Sequence, residues 1–112
     1  NRLLTSSMGK QDKKLTLQEV SEYFDVPPED LTGKKRDRKT VLARQIAMYI
    51  MREENNYSFS EIGHELGNRN HATIIHGCTK IANEISINSK LCLQVLEIRE
   101  RIDQKASPQK VD

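Results

Sequence analysis

The sequence predicts an all-α fold, a small helical domain of about six helices that include one short turn. Apolar residues recur three and four positions apart along most of the chain, which is the spacing of one face of a helix. Residues that favour helix N-termini stand before several of these stretches. No stretch alternates apolar and polar residues with a period of two, and no Asn-Gly pair marks a hairpin.

The 112 residues are enough for one domain with a single hydrophobic core. Residues 1–14 are polar and predict a linker or lead-in, and residues 106–112 predict a flexible tail. The folded domain is therefore expected over residues 15–105. Because the chain starts with Asn1 rather than Met, we expect it to be a fragment of a longer protein.

Two short elements open the predicted domain. Thr16 and Glu19 have the spacing of a capping box, which predicts a helix that starts at Thr16. Two prolines end that helix, and Pro28 favours a brief helical turn through Leu31. The strongest helical pattern follows over residues 40–55. That helix carries apolar residues on one face, at Leu42, Ile46, Tyr49 and Ile50.

Residues 58–77 predict two helices joined by a tight turn. Ser58 and Glu61 form a second capping box and start a helix that runs to residue 66. Gly67 can end that helix in a left-handed conformation, and Asn70 can cap the next helix through its side-chain oxygen. Two helices joined in this way form a helix-turn-helix.

A polar break at residues 87–89 separates the long second helix of this motif from a last helix. The apolar stripes of all the longer helices predict one core, formed by Leu42, Ile46, Ile50, Ile62, Leu66, Ile74, Cys78, Ile81 and Ile98. Cys78 and Cys92 both lie in apolar patterns. This indicates small buried residues of a reduced compartment, with a disulfide between them as the alternative.

Charge is segregated along the chain although its total is nearly balanced, with 18 Lys and Arg against 16 Asp and Glu. Every charged residue over residues 15–30 is acidic. Every charged residue over residues 32–52 is basic except Asp37. A clustered basic segment predicts contact with a polyanion. The basic segment over residues 34–39 also fits an ordinary solvated surface, or an anionic lipid surface, because the helix after it is amphipathic.

The start of the second helix of the motif carries groups suited to reading DNA. In a helix-turn-helix, the first residues of this helix point into the major groove, whereas their alternative role is that of ordinary surface or capping residues. The candidate base readers are Arg69, Asn70, His71, Ala72 and Thr73. The candidate phosphate ligands are Lys34, Lys35, Arg44, His76 and Lys80, and the candidates for insertion into the minor groove are Arg36 and Arg38.

No set of residues in the sequence suggests catalysis or a metal site. The phosphate-binding pattern GxxxxGK[ST] is absent, so we do not expect this chain to hydrolyse nucleotide. His71, His76 and Cys78 point in different directions around one helix, which disfavours a zinc site or a Cys/His nucleophile pair. The chain is therefore expected not to be an enzyme and to hold no metal.

A family resemblance rests on three stretches: DLTGKKRDR over residues 30–38, ARQIAMY over residues 43–49, and SFSEIG with GNRNHATIIH over residues 58–63 and 67–76. They resemble, respectively, the basic loop, the Arg-Gln-containing helix and the signature helix-turn-helix of one domain. This is the C-terminal DNA-binding domain, domain IV, of the bacterial replication initiator DnaA. The resemblance covers residues 15–102, and its last motif is long and specific.

The resemblance implies sequence-specific binding of DnaA boxes in duplex DNA at a bacterial replication origin. It implies that Arg36 enters the minor groove and that Asn70, His71 and Ala72 read bases in the major groove. Contacts with the DNA backbone are implied for Lys34, Arg38, Arg44, Gln45, Phe59, Thr73 and His76. An ATP-binding domain would precede Asn1, so no cofactor is expected in this fragment.

Further expectations concern partners and location. The domain is expected to be monomeric in isolation and to lie in the cytoplasm, associated with the nucleoid. Duplex DNA is the expected partner, with an acidic phospholipid surface as a second one.

Three residues depart from the family's usual pattern. Asn70 stands where Asp is usual, which changes the donor and acceptor groups offered to a base edge. Ala72 stands in place of a hydroxyl residue and keeps only a methyl for contact with thymine. Ser60 stands where Pro is frequent, which weakens any apolar contact at this position, and Ser60 is a further candidate DNA contact.

Two other classes of function stay open at this level. A membrane-surface module explains only the basic segment and the helix after it, and liposome binding without duplex binding would favour that class. An interaction domain that never meets nucleic acid leaves the polar start of the second motif helix unexplained.

Overall fold

The computed structural model describes residues 14–106, and every regular element in that range is a helix. The predicted lead-in and tail lie outside the described residues, apart from residues 14 and 106, which both belong to helices. The elements are α1 (residues 14–24), α2 (Pro28–Thr32), α3 (Arg38–Asn55), α4 (Phe59–Glu65), α5 (His71–Ile87) and α6 (Ser89–Ala106). The prediction of a small all-α domain of about six helices with a helix-turn-helix is confirmed.

The helices surround one core, in which α3 and α5 form the central pair. The two helices approach closely where Gly77 of α5 faces Met48 of α3. The space there is so small that a Cβ atom on Gly77 would overlap the Met48 sulfur. The last helix, α6, packs against the core through one apolar stripe, because four of its residues are buried, at Leu91, Val95, Ile98 and Ile102. This packing leaves the N-terminal end of α5 at the surface.

The predicted core is confirmed with one exception. Leu42 is only partly buried and packs against the edge of the core, so its prediction as a core residue is wrong. The buried face of α3 is centred on Ala43, Ile46, Ala47 and Ile50, which turns Leu42 towards the side of the helix. The other predicted members are buried, at Ile46, Ile50, Ile62, Leu66, Ile74, Cys78, Ile81 and Ile98.

The capping box predicted at Thr16 is also wrong. The helix already includes residue 14, so Thr16 lies inside α1, where its buried hydroxyl has no hydrogen-bond partner among the described residues. Glu19 is 1% exposed and pairs with Lys105 near the end of α6 instead of capping a helix. Thr16 and Glu19 therefore lie on the buried side of α1, which packs against the rest of the domain.

The predicted starts of the two motif helices are confirmed, and the start of α3 lies two residues earlier than predicted. Ser58 and Glu61 form a complete capping box at the start of α4. The Asn70 side-chain oxygen accepts a hydrogen bond from the Thr73 backbone N–H at 2.9 Å, which caps α5. The α3 helix begins at Arg38 rather than at residue 40, because Asp37 is its cap and accepts a hydrogen bond from the Thr40 backbone N–H.

Gly67 ends the first motif helix in the left-handed conformation predicted for it, with φ of 85°. A Cβ atom there would also overlap the carbonyl oxygen of Thr32 at the end of α2. Gly67→Ala is therefore expected to lower the free energy of unfolding by about 1–3 kcal/mol, measured by urea denaturation. Asn68→Gly is the control, because Asn68 also has positive φ but glycine adopts it without strain. Equal stability of Gly67→Ala and the unsubstituted domain would contradict this turn geometry.

Candidate nucleic-acid interface

The first turn of α5 presents an exposed polar surface. Asn70 has extended backbone dihedrals, with φ of −81° and ψ of 168°, and its side-chain oxygen Oδ1 caps the helix by accepting from the Thr73 N–H. The side chains of His71, Ala72 and Thr73 are all exposed, whereas Ile74 is buried and anchors the turn. The unpaired N–H groups of a helix N-terminus carry partial positive charge, so this end of α5 favours an anionic partner.

A second exposed surface is the α2–α3 loop, which we define as residues 33–37. Lys34, Lys35 and Arg36 are all exposed there. The Lys35 ammonium lies 3.6 Å from an Asp30 carboxylate oxygen, which is a surface ion pair of small energetic value. Hydrogen bonds from Thr40 lower the pKa of Asp37, so that carboxylate stays ionised as the cap of α3. Arg38 and Lys39, predicted as part of the same basic segment, form the first turn of α3 instead.

A cleft of about 530 Å³ lies between the α2–α3 loop and the start of α5. The structure thus brings together residues that the sequence separates by more than thirty positions. Five cationic or polar side chains and one apolar side chain line the cleft, namely Lys34, Arg36, Arg44, Arg69, Thr73 and Val41. An extended anion seated there would contact both the loop and the first turn of α5.

A second cleft, of about 780 Å³, runs between α3 and α5 on the adjoining side. It shares Arg36 with the first cleft and places Arg38, Gln45 and Lys80 around the same groove. Glu84 also lines it, so its far end is less positive than the end near the loop. The two clefts together form a basic surface that spans the α2–α3 loop, the first part of α3 and the exposed side of α5.

Arg44 is more deeply placed than its predicted role as a phosphate ligand requires. The residue is 6% exposed, and its guanidinium donates hydrogen bonds to three backbone carbonyls at 2.7–3.0 Å. These carbonyls belong to Asp30, Leu31 and Lys35, so Arg44 closes the end of α2 and holds the loop after it. Burial, and next the charge of Arg69, lower the pKa of Arg44. Its contact with phosphate stays a prediction.

Arg69 lies in the turn between α4 and α5 and is partly buried. One guanidinium nitrogen donates to the Leu66 carbonyl within the turn, and the other donates to the Gly33 carbonyl in the α2–α3 loop at 2.5 Å. Burial lowers the pKa of this guanidinium. The structure therefore ties the guanidinium of the predicted base reader Arg69 to two backbone carbonyls at the wall of the cleft.

The remaining predicted contacts lie around this surface. His76 is exposed on α5, and Ser60 is exposed in the first turn of α4. Phe59 is half-buried, and the Arg52 guanidinium stacks 4.2 Å from the centre of its ring. Sequence reasoning missed this stacking and the cap formed by Asp37. An aspartate just before a strong helical pattern is a helix-start signal and could have revealed the cap.

Two absences concern the described residues alone. Within residues 14–106, no three His, Cys, Asp or Glu side chains lie close enough together to hold a metal ion. In the same range, no helix combines the length and apolar character needed to cross a membrane.

The fold and its exposed basic surface define a helix-turn-helix domain of the DNA-binding class. The family model of the bacterial dnaA protein helix-turn-helix matches residues 14–81, which is more than half of the chain. The chain therefore belongs to the bacterial DnaA helix-turn-helix family.

Curated relatives agree with this assignment. The chain is 48% identical over 86 residues to the chromosomal replication initiator protein DnaA of Chloroflexus aurantiacus, which covers 77% of this chain and 18% of that protein. The protein of the same name from Roseiflexus castenholzii is 44% identical over 86 residues, with the same coverage. The one from Lactobacillus delbrueckii subsp. bulgaricus is 38% identical over 102 residues, covering 91% of this chain and 22% of that protein. The chain thus spans about a fifth of the length of these relatives.

Proposed function

We propose that this domain binds duplex DNA sequence-specifically, at DnaA boxes, as the DNA-binding module of a bacterial replication initiator. The observation that carries the proposal is the cleft of about 530 Å³ that lies between the exposed first turn of α5 and Arg36 of the α2–α3 loop. A helix start and a basic loop at one surface can occupy a major groove and the neighbouring minor groove together.

The proposed contacts divide into two sets. Asn70, His71 and Ala72 read base edges in the major groove, while Arg36 enters the minor groove. The others hold the phosphates and set the orientation of the domain without carrying sequence information. This second set comprises Lys34, Lys35, Arg38, Arg44, Gln45, Phe59, Ser60, Thr73, His76 and Lys80.

The domain is proposed to catalyse no reaction and to bind no cofactor. Binding of DNA by a helix-turn-helix needs only hydrogen-bond donors, acceptors and cations in fixed positions. ATP is proposed to bind to a different domain of the replication initiator. The domain is proposed to act as a monomer on one box, in the cytoplasm at the nucleoid.

An acidic phospholipid surface is the alternative partner for the same basic residues. The structure supports it less well, because the apolar face of α3 is already packed in the core. Insertion of that face into a membrane would require the domain to open, whereas duplex binding uses residues that are already exposed. Lipid contact would therefore be limited to electrostatic attraction at the surface.

A gel-shift experiment tests the proposal. The domain is titrated against a duplex that contains a DnaA box, a duplex with the box scrambled, and vesicles with and without acidic phospholipid. Preferential retardation of the box duplex is expected. Equal affinity for the two duplexes would contradict sequence-specific recognition, and vesicle binding without duplex binding would favour the membrane alternative.

Binding is expected to weaken steeply with added salt, because phosphate neutralisation releases counterions. The logarithm of the association constant should fall with the logarithm of salt concentration by about 0.9 for each phosphate neutralised. Lys35→Ala should reduce this slope and weaken binding to the box and scrambled duplexes alike, since Lys35 is exposed on the loop and is proposed to contact phosphate. Fluorescence anisotropy over a series of salt concentrations measures both effects. An affinity insensitive to salt would exclude the phosphate contacts.

A further inference from the structure

Arg69 joins two segments of the chain that are far apart in sequence. Its guanidinium donates to the Leu66 carbonyl at the end of α4 and to the Gly33 carbonyl in the α2–α3 loop. The Leu66 carbonyl lies four residues before the Asn70 cap of α5, and the Gly33 carbonyl lies three residues before Arg36. One planar group therefore connects the two elements proposed to enter the two grooves.

The backbone around this bridge is fixed on both sides. On the turn side, Gly67 packs so closely against the Thr32 carbonyl that a Cβ atom would not fit. The Arg69 backbone N–H also donates to the Gly63 carbonyl at 2.9 Å, which holds the turn against α4. On the loop side, Arg44 binds the carbonyls of Leu31 and Lys35, which flank Gly33.

Arginine suits this position for a geometric reason. Its guanidinium presents several N–H donors in a rigid plane and can bond two carbonyls at once. A lysine carries the same charge, but its single ammonium group cannot reproduce this planar fork. A charge contact with phosphate would tolerate lysine, whereas a bridge between two carbonyls would not.

We propose that Arg69 is a positioning residue, which acts on DNA through Arg36 by fixing the α2–α3 loop relative to the start of α5. This inference rests on the proposed function for its consequence in DNA binding, but the bridge itself exists in the free domain. Without the bridge, the loop keeps its charges but samples other positions. Arg36 then enters the minor groove only at the cost of ordering the loop upon binding.

A double-mutant cycle on the box duplex separates this role from direct contact. Dissociation constants are measured for the unsubstituted domain, Arg69→Lys, Arg36→Ala and the double variant. Arg36→Ala and Arg69→Lys are each expected to weaken binding by about ten-fold, the scale of one lost base contact. The double variant should bind about as Arg36→Ala alone, because a bridge that positions Arg36 has nothing left to position.

A direct contact between Arg69 and phosphate would give different dissociation constants in the same cycle. If Arg69 contacts phosphate directly, Arg69→Lys should keep most of the affinity, and any loss should multiply with that of Arg36→Ala. Either observation would overturn the positioning role. Arg99→Lys is the matched control, because Arg99 pairs with Glu54 at the junction of α6 with α3, away from both clefts. It should leave binding unchanged in both backgrounds.

Amide hydrogen exchange in the free domain tests the bridge without any DNA. Arg69→Lys should speed exchange in residues 33–37 and in the α4–α5 turn, while the central amides of α3 keep their protection and show that the domain is folded. Unchanged exchange in the loop would overturn the inference. If the loop exchanges faster but the domain shows no preference for the box duplex, the bridge stands and the proposed function fails.

Discussion

Ile46→Ala is expected to lower the free energy of unfolding by about 2–5 kcal/mol. Ile46 is 0% exposed and lies at the centre of the buried face of α3, which is packed against α5. Truncation removes apolar contacts and leaves a cavity that the rigid helix pair cannot close fully. Urea denaturation followed by circular dichroism measures the change.

Leu93→Ala is the matched control for that experiment. Leu93 is 62% exposed on α6, so the same kind of truncation should change the stability by less than about 0.5 kcal/mol. If Ile46→Ala lowers the free energy of unfolding by about 0.5 kcal/mol or less, Ile46 does not lie on the buried face of α3. The central position of the α3–α5 pair would then be wrong as well.

His71→Ala is expected to weaken binding to a box duplex by about 1–3 kcal/mol and to weaken binding to a scrambled duplex far less. His71 is the first residue of α5 and is exposed beside the Asn70 cap, where a side chain can reach base edges. Its loss should therefore bring the two affinities closer together. Competition binding at one fixed salt concentration measures the ratio.

Lys34→Ala provides the contrast for His71→Ala. Lys34 is exposed and lines the cleft from the loop side, where we propose that it neutralises phosphate whatever the base sequence. Both affinities should fall by a similar factor, and their ratio should be preserved. The roles assigned to the loop and to α5 would be reversed if Lys34→Ala changed the ratio of the two affinities and His71→Ala left it unchanged.

Local chemistry made most of the helix starts predictable. Ser58, Asn70 and Gly67 act within a few residues of themselves, so their spacing in the sequence is enough to predict the turn they form. Thr16 and Glu19 show the limit of that reasoning. They have the spacing of a capping box, but Glu19 pairs with Lys105 some 86 residues away, a contact no local pattern contains.

The same limit applies to the candidate interface. The exposure of His71 and Thr73 follows from the helical stripe, because Ile74 and Cys78 set which side of α5 is buried. The burial of Arg44 does not follow, since its charge suggested a surface residue. Its partners are backbone carbonyls of an earlier segment, and backbone carbonyls leave no signature in residue type. The two carbonyl partners of Arg69 could not be predicted for the same reason.

Recognition by the first turn of α5 is tested most directly by a competition assay over every single-base variant of the box, with the unsubstituted domain and His71→Ala compared at one salt concentration. The unsubstituted domain should discriminate at several positions of the box. His71→Ala should lose discrimination at one position, or at two adjacent ones, and keep it at the minor-groove position proposed for Arg36. An intact preference profile in His71→Ala would contradict base reading by this turn of α5.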